Sequence, residues 1–213
     1  MSSLPTWLAV ITTVAMLLIY EMAQVFMGRR NPVVVARTAH ARLREQWFEA
    51  VSRQPGSEIL AVQALRNSLM SATVMASTAV LGLIGTVTLA APSLNMAFGE
   101  ATTGIPQLTP RMTLELVLMA LLFASLVASA MAIRYYNHAT FISAIPVGSP
   151  ERQQWLSTGI AYVRRAGVLY SWALRHLILV APVLASLLHP YAGPPASAAV
   201  VAMLYAFDRF EQR

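Results

Sequence analysis

Glu21, Arg134 and Arg175 are charged side chains in or at the end of long apolar runs. Glu21 is the only charge between about Trp7 and Met27, and the helical rise puts it roughly 10 Å from the inner end of that run. Arg175 sits at a comparable depth in a later run, and Arg134 closes another. An ionisable group in hydrocarbon is costly unless it is paired. It therefore marks either a structural ion pair or a proton- or ion-coupling step. The economical arrangement pairs Glu21 with Arg175 or Arg134 inside a bundle.

Other chemistry is sparse. His40, His138, His176 and His189 include no His-x3-His pair on a helix, and there is no HExxH. Only His138 and His176 lie near the same membrane boundary, as a bis-histidine haem would need, and single histidines at span ends more often serve as interfacial hydrogen bonders. Neither a metal nor a cofactor is expected. With no cysteine, disulfides, thiolate metal sites and cysteine nucleophiles are excluded. GxSxG, P-loop and GxGxxG patterns are absent, and the 11 methionines are scattered as core filler. The expectation is a protein that is not an enzyme.

The elements that must hold these residues are membrane helices. The chain of 213 residues is 57% hydrophobic and 11% charged, against about 25% charged in a soluble domain. The formal charge is +6, and every cation is Arg. These Arg residues flank apolar runs, so anionic lipid is a nearer partner than nucleic acid. Of the 15 cations, only Arg111 falls on the opposite side from the rest. Because Lys and Arg accumulate in cytoplasmic loops, this predicts an N-terminus outside and a C-terminus inside. Arg29 and Arg30 follow the first run rather than precede it, which predicts a retained anchor rather than a cleaved signal.

The predicted fold is all-α: a single membrane domain of about five transmembrane helices with two amphipathic cytoplasmic helices. The spans are 7–27, 69–91, 112–133, 168–188 and 196–207, with cytoplasmic segments 28–68 and 134–167 and an outside loop 92–111. Asn31-Pro32, Thr109-Pro110 and Ser149-Pro150 are cap-then-proline helix starts, and Ser57 is placed to cap a helix from Glu58. The helix from Pro32 to Ser52 would carry Ala36, Ala39, Leu43, Trp47 and Ala50 on one face. It either lies on the anionic inner leaflet or packs on the protein's own cytoplasmic side. Leu177–Leu188 and Ala196–Phe207 are each about a dozen residues against the roughly 20 a crossing takes. They form two tilted or snorkelling spans, the version favoured here, or a partly inserted hairpin.

Small residues recur every four positions at Ala120, Ala124, Ala128 and Ala132, at Ser68, Ala72 and Ala76 with Gly82 and Gly85 beyond, and at Ala198, Ala202 and Ala206. Lipid offers no hydrophobic drive between helices, so close approach through small side chains is the main packing device. The stripes predict a tight bundle, contacts with partner chains or a homo-oligomer.

Several segments together resemble the uncharacterised bacterial membrane-protein family known as domain of unknown function 599. They are Glu45-Gln46-Trp47-Phe48, Ile59-Leu60-x-Val62-Gln63, Met75 to Leu83, Arg134-Tyr135-Tyr136-Asn137-His138 and Leu188-His189-Pro190-Tyr191. Val74 and Met75 depart from the family's aromatics, and Leu169-Tyr170-Ser171 from a His-Phe-Asn-like segment. The resemblance implies a multi-pass bacterial inner-membrane protein without an established activity. It also makes Asn137, His138, Ser77 and Thr78 the residues to examine as a polar site. The expected role is an accessory or structural subunit of a larger membrane assembly, with a small-solute or ion transporter or channel as the alternative.

Overall fold

In hydrocarbon a backbone must satisfy its own hydrogen bonds, which leaves the helix as the form open to long apolar runs. The computed structural model describes residues 4–30, 36–98 and 108–208, and among them the chain is helical with no strand. Four helices are long and apolar enough to cross a membrane: α1 (Leu4–Arg30), α3 (Glu58–Phe98), α4 (Pro110–Ala144) and α5 (Pro150–Leu188). Two shorter ones complete the order, α2 (Ala36–Arg53) before α3, and α6 (Gly193–Asp208) after a 3-10 turn at Pro190–Ala192.

The cap-then-proline signals at Thr109 and Ser149 start their helices as expected. Thr109 Oγ1 accepts from Met112 N at 3.2 Å, and Ser149 Oγ from Arg152 N at 3.2 Å. The Asn31-Pro32 start lies outside the described residues. Ser57 behaves differently: its hydroxyl donates to Val51 O and Gln54 O. It ties the turn back to α2 instead of capping α3. Gly56 and Gly148 take φ of +86° and +90°, a region side chains rarely enter.

The cytoplasmic helix expected to start at Ser149-Pro150 is not a separate element. It is the first half of α5, which runs unbroken for 39 residues, about 58 Å against a hydrocarbon layer of about 30 Å. Gly159 and Gly167 leave α5 intact, since each lies where an α2 side chain presses on it. A Cβ at Gly159 would stand 2.6 Å from the Phe48 ring, and one at Gly167 2.7 Å from the Arg44 guanidinium carbon. α3 and α4, of 41 and 35 residues, also overshoot. α3 continues through Pro92 to Phe98, so the predicted outside loop begins later than 92. α6, at 16 residues, is shorter than a full crossing requires.

α4 and α5 form the spine, packing along each other, with α3 along the far side of α4. Around the half of the spine that holds the start of α1 and the α5–α6 turn, termed the outer half and its opposite the inner half, α1 and α6 close a core of Val10, Leu17, Leu118, Leu122, Leu179, Val183 and Leu204. Around the inner half, α2 takes their place, and Phe48, Leu65, Ala132, Tyr136, Ile142 and Val163 form a second core. Packed α2 turns a different face inward from the predicted one. Ala41, Phe48 and Val51 are buried while Leu43 is 62% exposed, because the side-chain-free patches on α5 receive Phe48 and Arg44.

The alanine stripe on α4 is packed only over its inner half. Ala128 and Ala132 are buried, Ala124 is half-buried and Ala120 is exposed, where Leu114, Leu118 and Leu122 take over the contact. Beside the stripe, buried Ser125 donates to Ala173 O of α5 at 2.9 Å. Ala72 of α3 is buried, Ser68 and Ala76 are half-buried, and Gly82 abuts Leu122. Gly85 has nothing within 4 Å of its would-be Cβ, and Ala198, Ala202 and Ala206 of α6 are exposed.

Candidate functional site

Polar groups gather at three levels of the bundle. At the outer end, Glu115 on the first turns of α4 is 1% exposed and accepts from Arg111 Nε at 2.9 Å across one turn, while Arg111 itself stays in contact with solvent. Among the described residues the second carboxylate oxygen of Glu115 has no hydrogen-bond partner, nor have the hydroxyls of Ser186 and Ser197. The α6 backbone at Gly193 comes so close to Ser186 that a Cβ there would lie 2.6 Å from its oxygen. An adjoining cavity of about 300 Å³ is lined by Thr6, Thr109, Arg111 and Ser186 among apolar neighbours.

Midway along, α1 and α5 bring together Glu21, Gln24, Arg175 and His176. Glu21 Oε1 lies 3.7 Å from His176 Nε2, and Arg175 Nη1 donates to Gln24 Oε1 at 3.3 Å. His176 rests beside the Trp172 ring, centroids 5.6 Å apart. Arg175 and Gln24 are both buried. The structure thus places Glu21 and Arg175 in one cluster. Arg134 is exposed on α4 and outside it.

The outer and middle clusters do not join. Ser186 follows His176 by ten residues on α5, a rise of about 15 Å. The interval is filled by Leu17, Leu118, Leu122, Leu179 and Val183.

At the inner end, Arg152 ties three elements together. Its guanidinium donates to Ile142 O and, at 3.4 Å, to Ile145 O at the end of α4, and to Ser52 Oγ of α2 at 2.9 Å. It stands 5.7 Å from the Phe48 ring centroid and is 2% exposed. Carbonyls at a helix C-terminus attract a cation, which makes this burial tolerable. Burial still lowers the guanidinium below its usual range, and the charge of Glu58 opposes that shift. Glu58 in turn accepts from Val147 N at 2.9 Å, and this bond holds its carboxyl below the ordinary glutamate value. Glu45 of α2 meets Arg164 of α5 at 3.2 Å.

A family model described as Protein of unknown function, DUF599, matches residues 8–213. The chain belongs to the DUF599 family. No curated protein and no solved structure matches it. The family-like residues of this DUF599 protein do not converge on one site. Asn137 and His138 are exposed near the inner end of α4, with His138 5.7 Å from the Tyr162 ring. Ser77 and Thr78 are exposed on α3, where Thr78 donates back to Val74 O at 2.9 Å. Since Gly82 faces Leu122 on these antiparallel helices, residue 77 lies level with about 127, some 15 Å from Asn137. His138 and His176 are also apart: Tyr162, beside His138, precedes His176 by a rise of about 21 Å. No group of three or more metal-ligating side chains occurs among the described residues.

Sequence reasoning missed Glu115, Gln24 and Arg152. Glu115 carried a signal, an acid one turn beyond Arg111 in an otherwise apolar run. Arg152 also carried one: a cation in a first helical turn opposes its own helix dipole and so has a partner elsewhere. Gln24 carried none.

Proposed function

We propose that this protein is a non-catalytic, multi-pass subunit of the bacterial inner membrane that assembles with other membrane chains. The observation that carries this reading is the open face of α3. Asn67, Ser71, Val74, Thr78, Leu81, Gly85 and Thr88 are all exposed, spaced alternately by four and three. Four of the seven, Ser71, Thr78, Gly85 and Thr88, are small or hydroxyl-bearing, the residue types through which membrane helices approach each other. Arg residues toward one end favour an orientation with the N-terminus periplasmic and that end on anionic lipid in the cytoplasm. α6 supplies the fifth crossing in this reading. It rises only about 24 Å, but it reaches α2 at the other end of the bundle.

A small-ion transporter is the second reading, favoured by Glu21 and His176 at 3.7 Å within the bundle. The apolar layer between the two polar clusters counts against a pathway through one copy. Gentle-detergent co-purification with native mass spectrometry separates the two. A stable larger partner is expected, and a lone homo-oligomer that carries ion flux in liposomes would sink the assembly reading.

A further inference from the structure

At the inner level α2, α3, α4 and α5 enclose a cavity of about 180 Å³ lined by Arg44, Trp47, Leu65, Ser68, Tyr136 and Val163. Liquid water takes about 30 Å³ per molecule, so there is room for a small polyatomic group. Arg44 reaches this cavity from α2 by lying across α5 where Gly167 has no side chain. Tyr136 and Ser68 line the same cavity, and Ser68 Oγ donates to Ala64 O of its own helix at 3.2 Å.

The charge balance around Arg44 is incomplete. The carboxylates nearest in sequence are engaged elsewhere: Glu45 with Arg164, Glu49 with Arg53, and Glu58 with the Val147 amide. Arg44 itself forms no hydrogen bond or ion pair with a described residue. The half-buried guanidinium thus has several donors and no described residue to accept from it. The Tyr136 hydroxyl adds a further donor, and Trp47 lines the same cavity. A planar carboxylate would satisfy only the guanidinium fork. A tetrahedral phosphate oxyanion can accept from the fork on two oxygens and from the Tyr136 hydroxyl on a third.

We infer that the Arg44–Tyr136–Ser68 cavity is a binding site for a phosphate group, carried on an anionic phospholipid head or free in solution. The site depends only on the folded bundle. The lipid source rests on the proposed placement of this end at the cytoplasmic leaflet, where basic pockets between helices take lipid head groups.

The test uses the full chain in mild detergent. Native mass spectrometry compares retention of dioleoyl phosphatidylglycerol with dioleoylglycerol, which has the same tails and no phosphate, and calorimetry measures inorganic phosphate. Wild type should hold the phospholipid over the diacylglycerol, or bind inorganic phosphate, or both. Phospholipid alone identifies a head group as the source, and inorganic phosphate alone a soluble anion. Arg44→Gln should weaken the bound species about tenfold or more and Tyr136→Phe about threefold. Arg66→Gln, at an exposed position on α3, should leave it unchanged. The inference is overturned if wild type holds neither probe, if Arg44→Gln binds as wild type does, or if Arg66→Gln loses as much as Arg44→Gln. Should Arg44→Gln fail to fold, Tyr136→Phe keeps the ring packed and decides the matter: unchanged binding overturns the site. A failed co-purification experiment would remove the assembly reading without touching this one.

Discussion

Replacing Arg152 by Met keeps the length of the side chain and removes its charge and donors. The guanidinium bonds to Ile142 O, Ile145 O and Ser52 Oγ, and lies against Phe48. Bonds from a charged donor contribute about 1.5–3 kcal/mol each, and a desolvated cation–π contact roughly 1–2 kcal/mol. Against this, the variant no longer buries a charge, which returns several kcal/mol. A net loss of about 3 kcal/mol is expected, and at 2–4 °C per kcal/mol that lowers Tm by roughly 6–12 °C. Thermal unfolding of the purified protein in one detergent, followed by far-UV circular dichroism, measures it. Arg152→Lys should recover less than half the loss, because an ammonium cannot fork between α4 and α2. A Met variant that melts within about 2 °C of wild type would refute Arg152 as the joint of the inner end.

Gly159→Ala drives a methyl into the Phe48 ring and should cost about 1–3 kcal/mol, whereas Gly85→Ala meets nothing and should be neutral or stabilise by up to about 1 kcal/mol. Equal melting temperatures for the two variants would contradict the docking of α2 on α5. Ser125→Ala removes a bond between α4 and α5 in the membrane interior, worth about 0.6–1.7 kcal/mol, and denaturant unfolding in mixed micelles reads the change. Glu58 has a carboxyl pKa lowered in the fold from about 4.5 by the Val147 amide. Its stabilisation is therefore present above the unfolded value and lost as pH falls through the folded one. The stability gap between wild type and Glu58→Gln should be constant near pH 7 and close progressively below about pH 4.5, and a gap that widens with acidification would reverse the sign of the assignment.

Helix existence was legible wherever a local signal sufficed. Apolar runs longer than the bilayer, and Thr109 and Ser149 ahead of prolines, gave the long helices and two of their starts. What remained hidden depends on which surfaces meet. The buried face of α2 was misjudged because its hydrophobic periodicity offers two faces, and Gly159 and Gly167, more than a hundred positions away, select the one with Phe48. Those same glycines look like interruptions of α5 until their neighbours are known. Glu21 and Arg175 stood out because charge is rare in such runs. Their contacts to His176 and Gln24 could not be read from α1 or α5 alone. Membership of the DUF599 family was carried by short motifs, and those motifs lie at different depths rather than around one centre.

The docking of α2 on α5 also sets a timetable. Ser52 and Arg152, which join the two helices, are 100 positions apart. Chains are made at about 5–20 residues per second. For roughly 5–20 s after α2 has emerged, then, Phe48 and Val51 have no α5 to receive them. During that interval α3 and α4 are made while the apolar face of α2 stays uncovered. The newborn chain is accordingly a different object from the finished one. Its α2 keeps an uncovered apolar face until the side-chain-free stretch of α5 arrives.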